Sequence, residues 1–237
     1  MGSSKALREF WAQRLLPGTG KIIFQDGFED EIVRCLKDGT FGYTVVRDAD
    51  LAFMGEASLK ISTPATVGAQ SYAEFPVPST PSKKFGLDLH FAFPLSNGYR
   101  TAFEVIYIDQ NGNWMQAAVR YELGAYVPGD FRIDGKWQYR NSAGVWTDIS
   151  SFKLFWYSLE RLRFARLKLI GDFAAEKYVS LTVNDTVFDL SAQPLYKLPT
   201  PSGHGPGIFN FLYNYNNPTV GGIADLYIDN LMVTDEG

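Results

Sequence analysis

The residue types that most often carry catalysis are scarce in this sequence. It contains two histidines, His90 and His204, and one cysteine, Cys35. His90 lies in an alternating stretch that predicts a strand, whereas His204 lies in a Gly-Pro loop, where it is either a ligand contact or an ordinary loop residue. The three positions have neither the spacing of a zinc site nor the partners of a catalytic triad, and Cys35 has no neighbouring base. Zinc chemistry and nucleophilic catalysis are therefore not indicated.

Carboxylates are the next candidates, because cleavage of a glycosidic bond needs two carboxyl groups that face each other. A strand places carboxylates on one face when they occupy alternate positions. The sequence has no Glu-x-Asp-x-Glu run. Its nearest pairs, Glu104 with Asp109 and Asp185 with Asp189, have the wrong parity or lie at a turn. The sequence therefore predicts a protein that is not an enzyme.

Aromatic residues make up 15% of the chain and favour a binding function. In the stretch 209–217, tyrosines alternate with asparagines, and such a surface of rings and amides can recognise a glycan or another protein. The alternative for each ring is packing in the core or at an interface. The candidate binding residues are Tyr213, Asn214, Tyr215, Asn216, Trp137 and Trp146.

Most of the chain must form strands to present these side chains. Alternation of apolar and polar residues, interrupted by turn residues, recurs after Lys21, and no helical pattern is sustained after Leu16. Asn111-Gly112 and Asp134-Gly135 are typical of hairpin turns, and 141–158 is less regular. About a dozen strands at this spacing predict an all-β antiparallel sandwich.

The last strand is the organising element of this prediction. From Ala224 to Asp235 apolar residues alternate with polar ones, except that Asp229 and Asn230 lie side by side. Two adjacent polar residues within such a pattern predict a β-bulge or an edge. We expect this strand to pair with the strand that begins at Lys21 and so to close the sandwich.

Three short pieces carry a resemblance to known proteins: Phe24-Gln-Asp-Gly-Phe-Glu29, Gly55-Glu-Ala-Ser-Leu-Lys-Ile61 and Tyr227-Ile-Asp-Asn-Leu231. They resemble the opening, third-strand and closing signatures of jelly-roll carbohydrate-binding modules and of the wider concanavalin-like, or laminin-G-like, sandwiches. The resemblance runs from Lys21 to Thr234 and implies an antiparallel jelly-roll (concanavalin-like) β-sandwich.

The same resemblance implies a structural calcium ion. In such modules an ion often ties the first strand to the last through acidic side chains and backbone oxygens, which are the hard ligands that Ca²⁺ prefers. The matching positions are Glu29, Asp30, Asp229 and Asn230. We therefore expect one structural Ca²⁺ and no other cofactor.

Residues 1–20 form a segment of their own ahead of the sandwich domain at 21–237. After Ser3 and Ser4, apolar residues recur at helical spacing and predict an amphipathic helix that ends at 17–20. This helix is a plug for one end of the sandwich, an arm that docks on another subunit, or a membrane-surface helix. The residues of the apolar stripe are Leu7, Phe10, Trp11 and Leu15.

Composition excludes several partners. The net charge is −4, which gives no nucleic-acid footprint, and no apolar run reaches the ~18 residues of a membrane span. One cysteine cannot form an intramolecular disulfide, and the start lacks the features of a signal peptide. We therefore expect synthesis in a host cytosol and no nucleic-acid or membrane partner.

Three functional hypotheses remain open. The first is a non-catalytic, lectin-like structural protein of a larger particle, most simply a phage virion component that decorates the capsid, belongs to the minor capsid proteins or attaches to the tail. Its partners would be coat protein or copies of itself in a homo-oligomer at the virion surface. The second is a carbohydrate-binding module that recognises a polysaccharide through exposed aromatic residues. A hydrolase with an unrecognised site is the third and weakest.

Overall fold

The computed structural model describes residues 20–31, 33–78, 80–93, 100–123, 132–155, 164–199, 204–216 and 224–237. This part of the chain contains sixteen strands and no helix. The strands are β1 (Lys21–Asp26), β2 (Leu36–Gly39), β3 (Thr44–Asp48), β4 (Ser58–Thr63), β5 (Gln70–Val77), β6 (Lys84–Ala92), β7 (Arg100–Ile108), β8 (Asn113–Leu123), β9 (Arg132–Arg140), β10 (Trp146–Phe155), β11 (Ala165–Asp172), β12 (Lys177–Val183), β13 (Thr186–Asp189), β14 (Tyr196–Pro199), β15 (Gly207–Tyr215) and β16 (Ala224–Asp235).

The strands form two antiparallel sheets. The first sheet has the order β13-β12-β11-β6-β16-β4-β3, and β1 pairs with β16 as well. The second sheet has the order β10-β9-β8-β7-β15-β5-β2, and β14 pairs with β8. The prediction of an all-β antiparallel sandwich is confirmed.

The last strand lies near the middle of the first sheet and pairs with β1, β4 and β6. β4 pairs with its first half, from Ala224 to Ile228, and β1 pairs with its second half, from Leu231 to Asp235. Between these halves the register with β6 shifts, and Asn230 has a φ of 49°. The bulge and the pairing of β1 with the last strand are therefore confirmed.

The core lies between the sheets and is built from alternate residues of each strand. On β6 these are Phe85, Leu87, Leu89 and Phe91, all at most 1% exposed. Residues of β7, β8 and β15 join the same cluster from the second sheet. This period of two leaves the intervening side chains on the outer faces.

One predicted turn is a strand interior. Asp134 and Gly135 lie within β9 and pair with β10, so the hairpin prediction at this dipeptide is wrong. A Cβ atom at Gly135 would lie 2.4 Å from the hydroxyl oxygen of Tyr121. Glycine therefore allows the Tyr121 side chain to lie close to the backbone of β9. The turn falls instead at 141–145, where Gly144 donates to the carbonyl of Asn141 at 2.8 Å.

Asn214 and Asn216 do not belong to a surface with the neighbouring tyrosines, which corrects their assignment as binding residues. Asn214 is 2% exposed, and its Nδ2 donates to the carbonyls of Ile61 at 2.9 Å and Ala224 at 2.8 Å. Nδ2 of Asn216 donates to the carbonyls of Pro64 and Thr66. Strand parity turns both amides inward, and Asn214 thereby ties the second sheet to two strands of the first.

We expect Asn214→Ala to lower the free energy of unfolding by about 2–3 kcal/mol, because it removes two buried hydrogen bonds between the sheets. Urea unfolding measures the difference. The control is Asn111→Ala in an exposed turn, which should change the free energy by no more than about 0.5 kcal/mol. Equal effects of the two substitutions would contradict the role of Asn214 as a tie.

Candidate functional site

The outer face of the second sheet carries a row of aromatic rings. Phe209, Phe211, Tyr213 and Tyr215 occupy alternate positions of β15, opposite in parity to the core residues of that strand. The rings of Phe211 and Tyr213 stack with centroids 5.7 Å apart, and those of Tyr213 and Tyr215 stack at 5.5 Å. Six residue steps of an extended strand make this row roughly 20 Å long.

Neighbouring strands widen the row into a surface. Tyr72 of β5 lies opposite Tyr213, with ring centroids 5.1 Å apart. Trp114 of β8 and Ile106 of β7 belong to the same apolar cluster, which is separate from the core. Aromatic rings on a sheet provide the flat apolar platform on which the face of a sugar ring stacks.

Glu104 lies beside this row and is 4% exposed. It pairs in register with Phe211, and Nε2 of Gln116 donates to its Oε2 at 2.6 Å. Nη1 of Arg140 in turn donates to Oε1 of Gln116 at 3.0 Å. Burial raises the pKa of Glu104 to about 7, although Gln116 and Arg140 act to lower it. Glu104 therefore exchanges a proton near neutral pH, as a general acid or base must.

Two alanines flank this carboxyl group. Ala118 lies opposite Glu104, and Ala102 lies between Tyr213 on one side and Arg120 on the other. Their methyl groups are the smallest side chains of the outer face at this level of the sheet. The outer face beside Glu104 is therefore low at Ala102 and Ala118, and the larger side chains of Tyr213 and Arg120 lie on the two sides of Ala102.

Cations stacked on rings form the rim towards β9 and β10. The guanidinium of Arg120 lies 4.5 Å from the ring centroid of Trp146, and its Nε donates to Oε1 of Gln138 at 2.6 Å. The guanidinium of Arg140 lies 4.3 Å from the ring centroid of Tyr196. These cation–π contacts fix the two planar groups at the edge of the face.

A second buried carboxyl group lies on the opposite side of the row. Glu74 of β5 pairs with Phe211 and is 4% exposed. Its Oε1 lies 3.6 Å from Nε2 of His204, which is too long for a hydrogen bond. Burial raises the pKa of Glu74, and the charge of His204 acts against this. Phe211 therefore separates two buried carboxyl groups whose pKa values are both raised.

Three of the predicted binding residues lie on this face, namely Tyr213, Tyr215 and Trp146. Trp137 does not, because it has the inward parity of β9, is 0% exposed and packs on Tyr121 at a centroid distance of 5.1 Å. Its assignment as a platform is corrected to a core residue. Together with the two inward asparagines, half of the predicted set is therefore interior.

Sequence reasoning missed the polar side chains of the face. A lone carboxylate inside an otherwise apolar strand was the available signal, because such a residue is almost never buried without a reason. Glu104 in Phe103–Ile108 shows that pattern, but Glu74 does not. The missed residues are Glu74, Glu104, Gln116 and Arg140.

The helical arm lies outside the described residues. This holds for all four residues of its predicted docking stripe, Leu7, Phe10, Trp11 and Leu15. In the part of the chain that the structure describes, no helix has the length and apolarity needed to span a membrane.

The carboxylates of the predicted calcium site face backbone amides. Oδ2 of Asp229 accepts from the amides of Phe53 and Met54 at 2.8 and 2.9 Å, and the carboxylate of Glu29 accepts from the amide of Glu56 at 3.1 Å. Burial raises the pKa of Asp229 to about 6, and these amide hydrogen bonds act to lower it. The two side chains thus fasten the loop that precedes β4 to the first and last strands.

The other two predicted ligands are placed differently. Asp30 forms an exposed ion pair with Arg34 at 3.5 Å, and Asn230 donates its own amide to Oδ1 of Asp229. Among the described residues no three His, Cys, Asp or Glu side chains gather as a metal site. N–H groups that point at a carboxylate oxygen do not fit a cation in the same position. The calcium ion therefore stays an untested prediction.

Comparison with known proteins identifies the fold. No protein-family model and no curated protein matches the sequence. An endo-β-1,4-glucuronan lyase from the fungus Trichoderma reesei aligns with a TM-score of 0.55 at 10% identity, covering 90% of this chain and 95% of the lyase. A cellulose induced protein, Cip1, aligns with a TM-score of 0.51 at 12% identity, covering 90% and 97%. A glycoside hydrolase family 16 endo-glucanase from Bacteroides ovatus aligns at 0.48 and 12%, covering 90% and 100%. The chain is a concanavalin-like jelly-roll sandwich.

The prediction that the chain is not an enzyme is overturned by this comparison. The lyase is an enzyme whose sandwich covers nearly the same span of the chain. The absence of three alternating carboxylates on one strand excludes one arrangement and not catalysis in general. Here Glu74 and Glu104 come from different strands, so no local run could have revealed the two as a pair.

The comparisons give no support to the prediction of a phage virion component. The structures reported above bear the names of two glycan-cleaving enzymes and a cellulose induced protein. At 10–12% identity the two structures with TM-scores above 0.5 show the fold alone.

The calcium prediction is tested by thermal unfolding with excess CaCl₂ and with EDTA. An ion bound by the native state alone must raise the melting temperature, so EDTA should lower it if the site exists. Equal melting temperatures in the two conditions would contradict the prediction.

We expect Glu104→Gln to stabilise the protein at alkaline pH. A pKa of about 7 in the fold, against an ordinary 4.5, makes ionisation of Glu104 cost about 3 kcal/mol. The stability that the fold has while Glu104 is protonated is fully present below pH 4.5 and is lost as the pH rises through 7. The difference between the variant and the wild type should therefore be small at pH 4 and approach about 3 kcal/mol at pH 8.

Urea unfolding across this pH range measures the difference. Glu122→Gln is the control because the Glu122 carboxylate pairs with Arg100 at 2.6 Å and its side chain is 22% exposed. A pH-independent difference for Glu104→Gln would show that Glu104 is not held protonated by burial.

Proposed function

We propose that this protein binds a polysaccharide on the outer face of its second sheet. The observation that carries the proposal is the row of Phe209, Phe211, Tyr213 and Tyr215, which places stacked rings beside buried hydrogen-bonding side chains. A sugar presents an apolar ring face and polar hydroxyl groups at its rim. The row and its polar neighbours match both parts of such a ligand.

The geometry favours a ligand that lies along β15. Sugar rings would stack on the aromatic row over roughly 20 Å, so the face is long enough for several units of a chain. Hydroxyl groups on one side of that chain would meet Glu104, Gln116 and Arg140. Names of structural neighbours support a glycan as the ligand class, since the lyase acts on glucuronan.

A second candidate function is cleavage of the bound glycan, with Glu104 as the group that transfers a proton. Two observations favour it: the carboxyl group lies beside the aromatic row, and burial sets its pKa near 7. Its hydrogen bond from Gln116 orients one oxygen and leaves the other for a ligand. Binding does not depend on this second function.

We expect Tyr213→Ala and Tyr215→Ala each to weaken polysaccharide binding roughly tenfold, because each removes one stacking ring. Affinity electrophoresis in gels containing xylan, mixed-linkage β-glucan, glucuronan or carboxymethyl cellulose measures the retardation. Tyr227→Ala is the matched control, since Tyr227 lies on the first sheet and outside the core cluster. No retardation of the wild-type protein in any gel would contradict the proposal, as would equal losses for Tyr227→Ala.

For cleavage, we expect Glu104→Gln to retain binding and to lose activity by a factor of about 10²–10⁴, which is the usual contribution of a general acid or base. Release of reducing ends and of unsaturated products from the same four polysaccharides measures it. If the wild-type protein binds any of these polysaccharides but cleaves none of them, its function is limited to binding.

A further inference from the structure

Three neighbouring side chains at one end of the aromatic row hold buried polar atoms without hydrogen-bond partners. They are Oε1 of Glu74, Nδ1 of His204 and Nε1 of Trp114. The ring centroids of Trp114 and His204 lie 6.2 Å apart, and Oε1 of Glu74 lies 3.6 Å from Nε2 of His204. Among the described residues seven side-chain atoms are in this state, and three of them belong to side chains linked through His204.

Three buried polar atoms without hydrogen bonds in one cluster indicate a hydrogen-bonding partner. A buried polar group without a hydrogen bond destabilises the fold, and native proteins keep few of them. Apolar residues of similar size at these positions would avoid that cost. Within the part of the chain that the structure describes, no side chain or backbone group supplies that partner.

The chemistry of the three atoms defines that partner. The indole N–H of Trp114 can only donate, the carboxylate oxygen of Glu74 accepts when ionised, and Nδ1 of His204 does either. Phe209 closes one side, with its ring centroid 5.1 Å from that of His204 and the planes at 89°. Adjacent hydroxyl groups of a sugar offer the same mixture of donors and acceptors next to an apolar ring.

Charge selects among sugars. Glu74 is the carboxyl group of this cluster and lies 4% exposed, so a sugar carboxylate placed here would meet a like charge out of water. His204 is the basic member of this cluster, and its Nε2 lies 3.6 Å from Oε1 of Glu74. Arg120 lies six residues, or roughly 20 Å, along β8 from Trp114, and Arg140 ends β9.

We propose that Glu74, Trp114 and His204 form a subsite that binds the adjacent hydroxyl groups of a neutral sugar unit at the Phe209 end of the row. This inference rests on the proposed polysaccharide-binding function and gives the binding face a direction. The chain stacks on Tyr213 and Tyr215 at one end, and its hydroxyl groups are recognised at the other.

The test uses Trp114→Phe, which removes the indole N–H and keeps an aromatic ring, and Glu74→Leu, which removes the carboxyl group at similar size. Binding of xylan and mixed-linkage β-glucan oligosaccharides is measured by isothermal titration calorimetry, and melting temperatures are measured without sugar. We expect each variant to lose affinity about five- to tenfold and to melt no lower than the wild type, because Nε1 of Trp114 and Oε1 of Glu74 make no hydrogen bond within the described residues.

Trp137→Phe is the matched control, since its indole N–H is also buried and unpartnered but lies in the core. We expect this variant to keep the wild-type affinity. If the three atoms hold only a structural water, Trp114→Phe and Glu74→Leu would lower the melting temperature and leave affinity unchanged, which would overturn the subsite. Wild-type binding of glucuronan in preference to both neutral polymers would also overturn it.

The two proposals fail separately. If no polysaccharide binds the wild-type protein, the proposed function itself is wrong. If binding is weakened by Tyr213→Ala but not by Trp114→Phe or Glu74→Leu, the face binds a glycan and the subsite does not exist.

Discussion

The bulge at Asp229–Asn230 is the constraint on which the sandwich depends. Leu226 and Ile228 face the core before it, and Leu231 and Val233 face the core after it. A regular strand could not do this, because the step from Ile228 to Leu231 is odd and would turn the second half outward. The extra residue, with Asn230 at positive φ, restores the parity and lets β1 and β4 share one edge of β16.

The same parity rule creates the aromatic outer face at a cost in stability. Each inward residue of β15 that fills the core leaves an aromatic neighbour on the outside. Around those rings lie Glu104, whose charge is opposed by burial, and the unpartnered atoms near His204. Groups that weaken a fold and are nevertheless kept close together are typical of a site that acts on a ligand.

Local pattern in the sequence was sufficient for the strands and not for their pairing. The bulge followed from the interrupted alternation at Asp229 and Asn230, whereas alternation left open which of Tyr213 and Asn214 points outward. The inward position of Trp137 and the hydrogen bonds of Asn214 depend on which strands lie opposite, and a single sequence does not show this. Gly135 was misjudged for the same reason, because the close approach of Tyr121 comes from the neighbouring strand.

The position of the two carboxyl groups explains why the enzyme question was answered wrongly from sequence. Glu74 and Glu104 are thirty residues apart in sequence, yet both pair with Phe211 from opposite sides. Each is buried, but their surroundings differ: Glu104 is hydrogen-bonded by an amide, whereas Glu74 faces an imidazole. Because their surroundings differ, the carboxyl groups of Glu74 and Glu104 differ in their chemical properties, and the face is asymmetric about β15. Under the proposed function, a glycan bound along the row would have Glu104 on one side and Glu74 on the other.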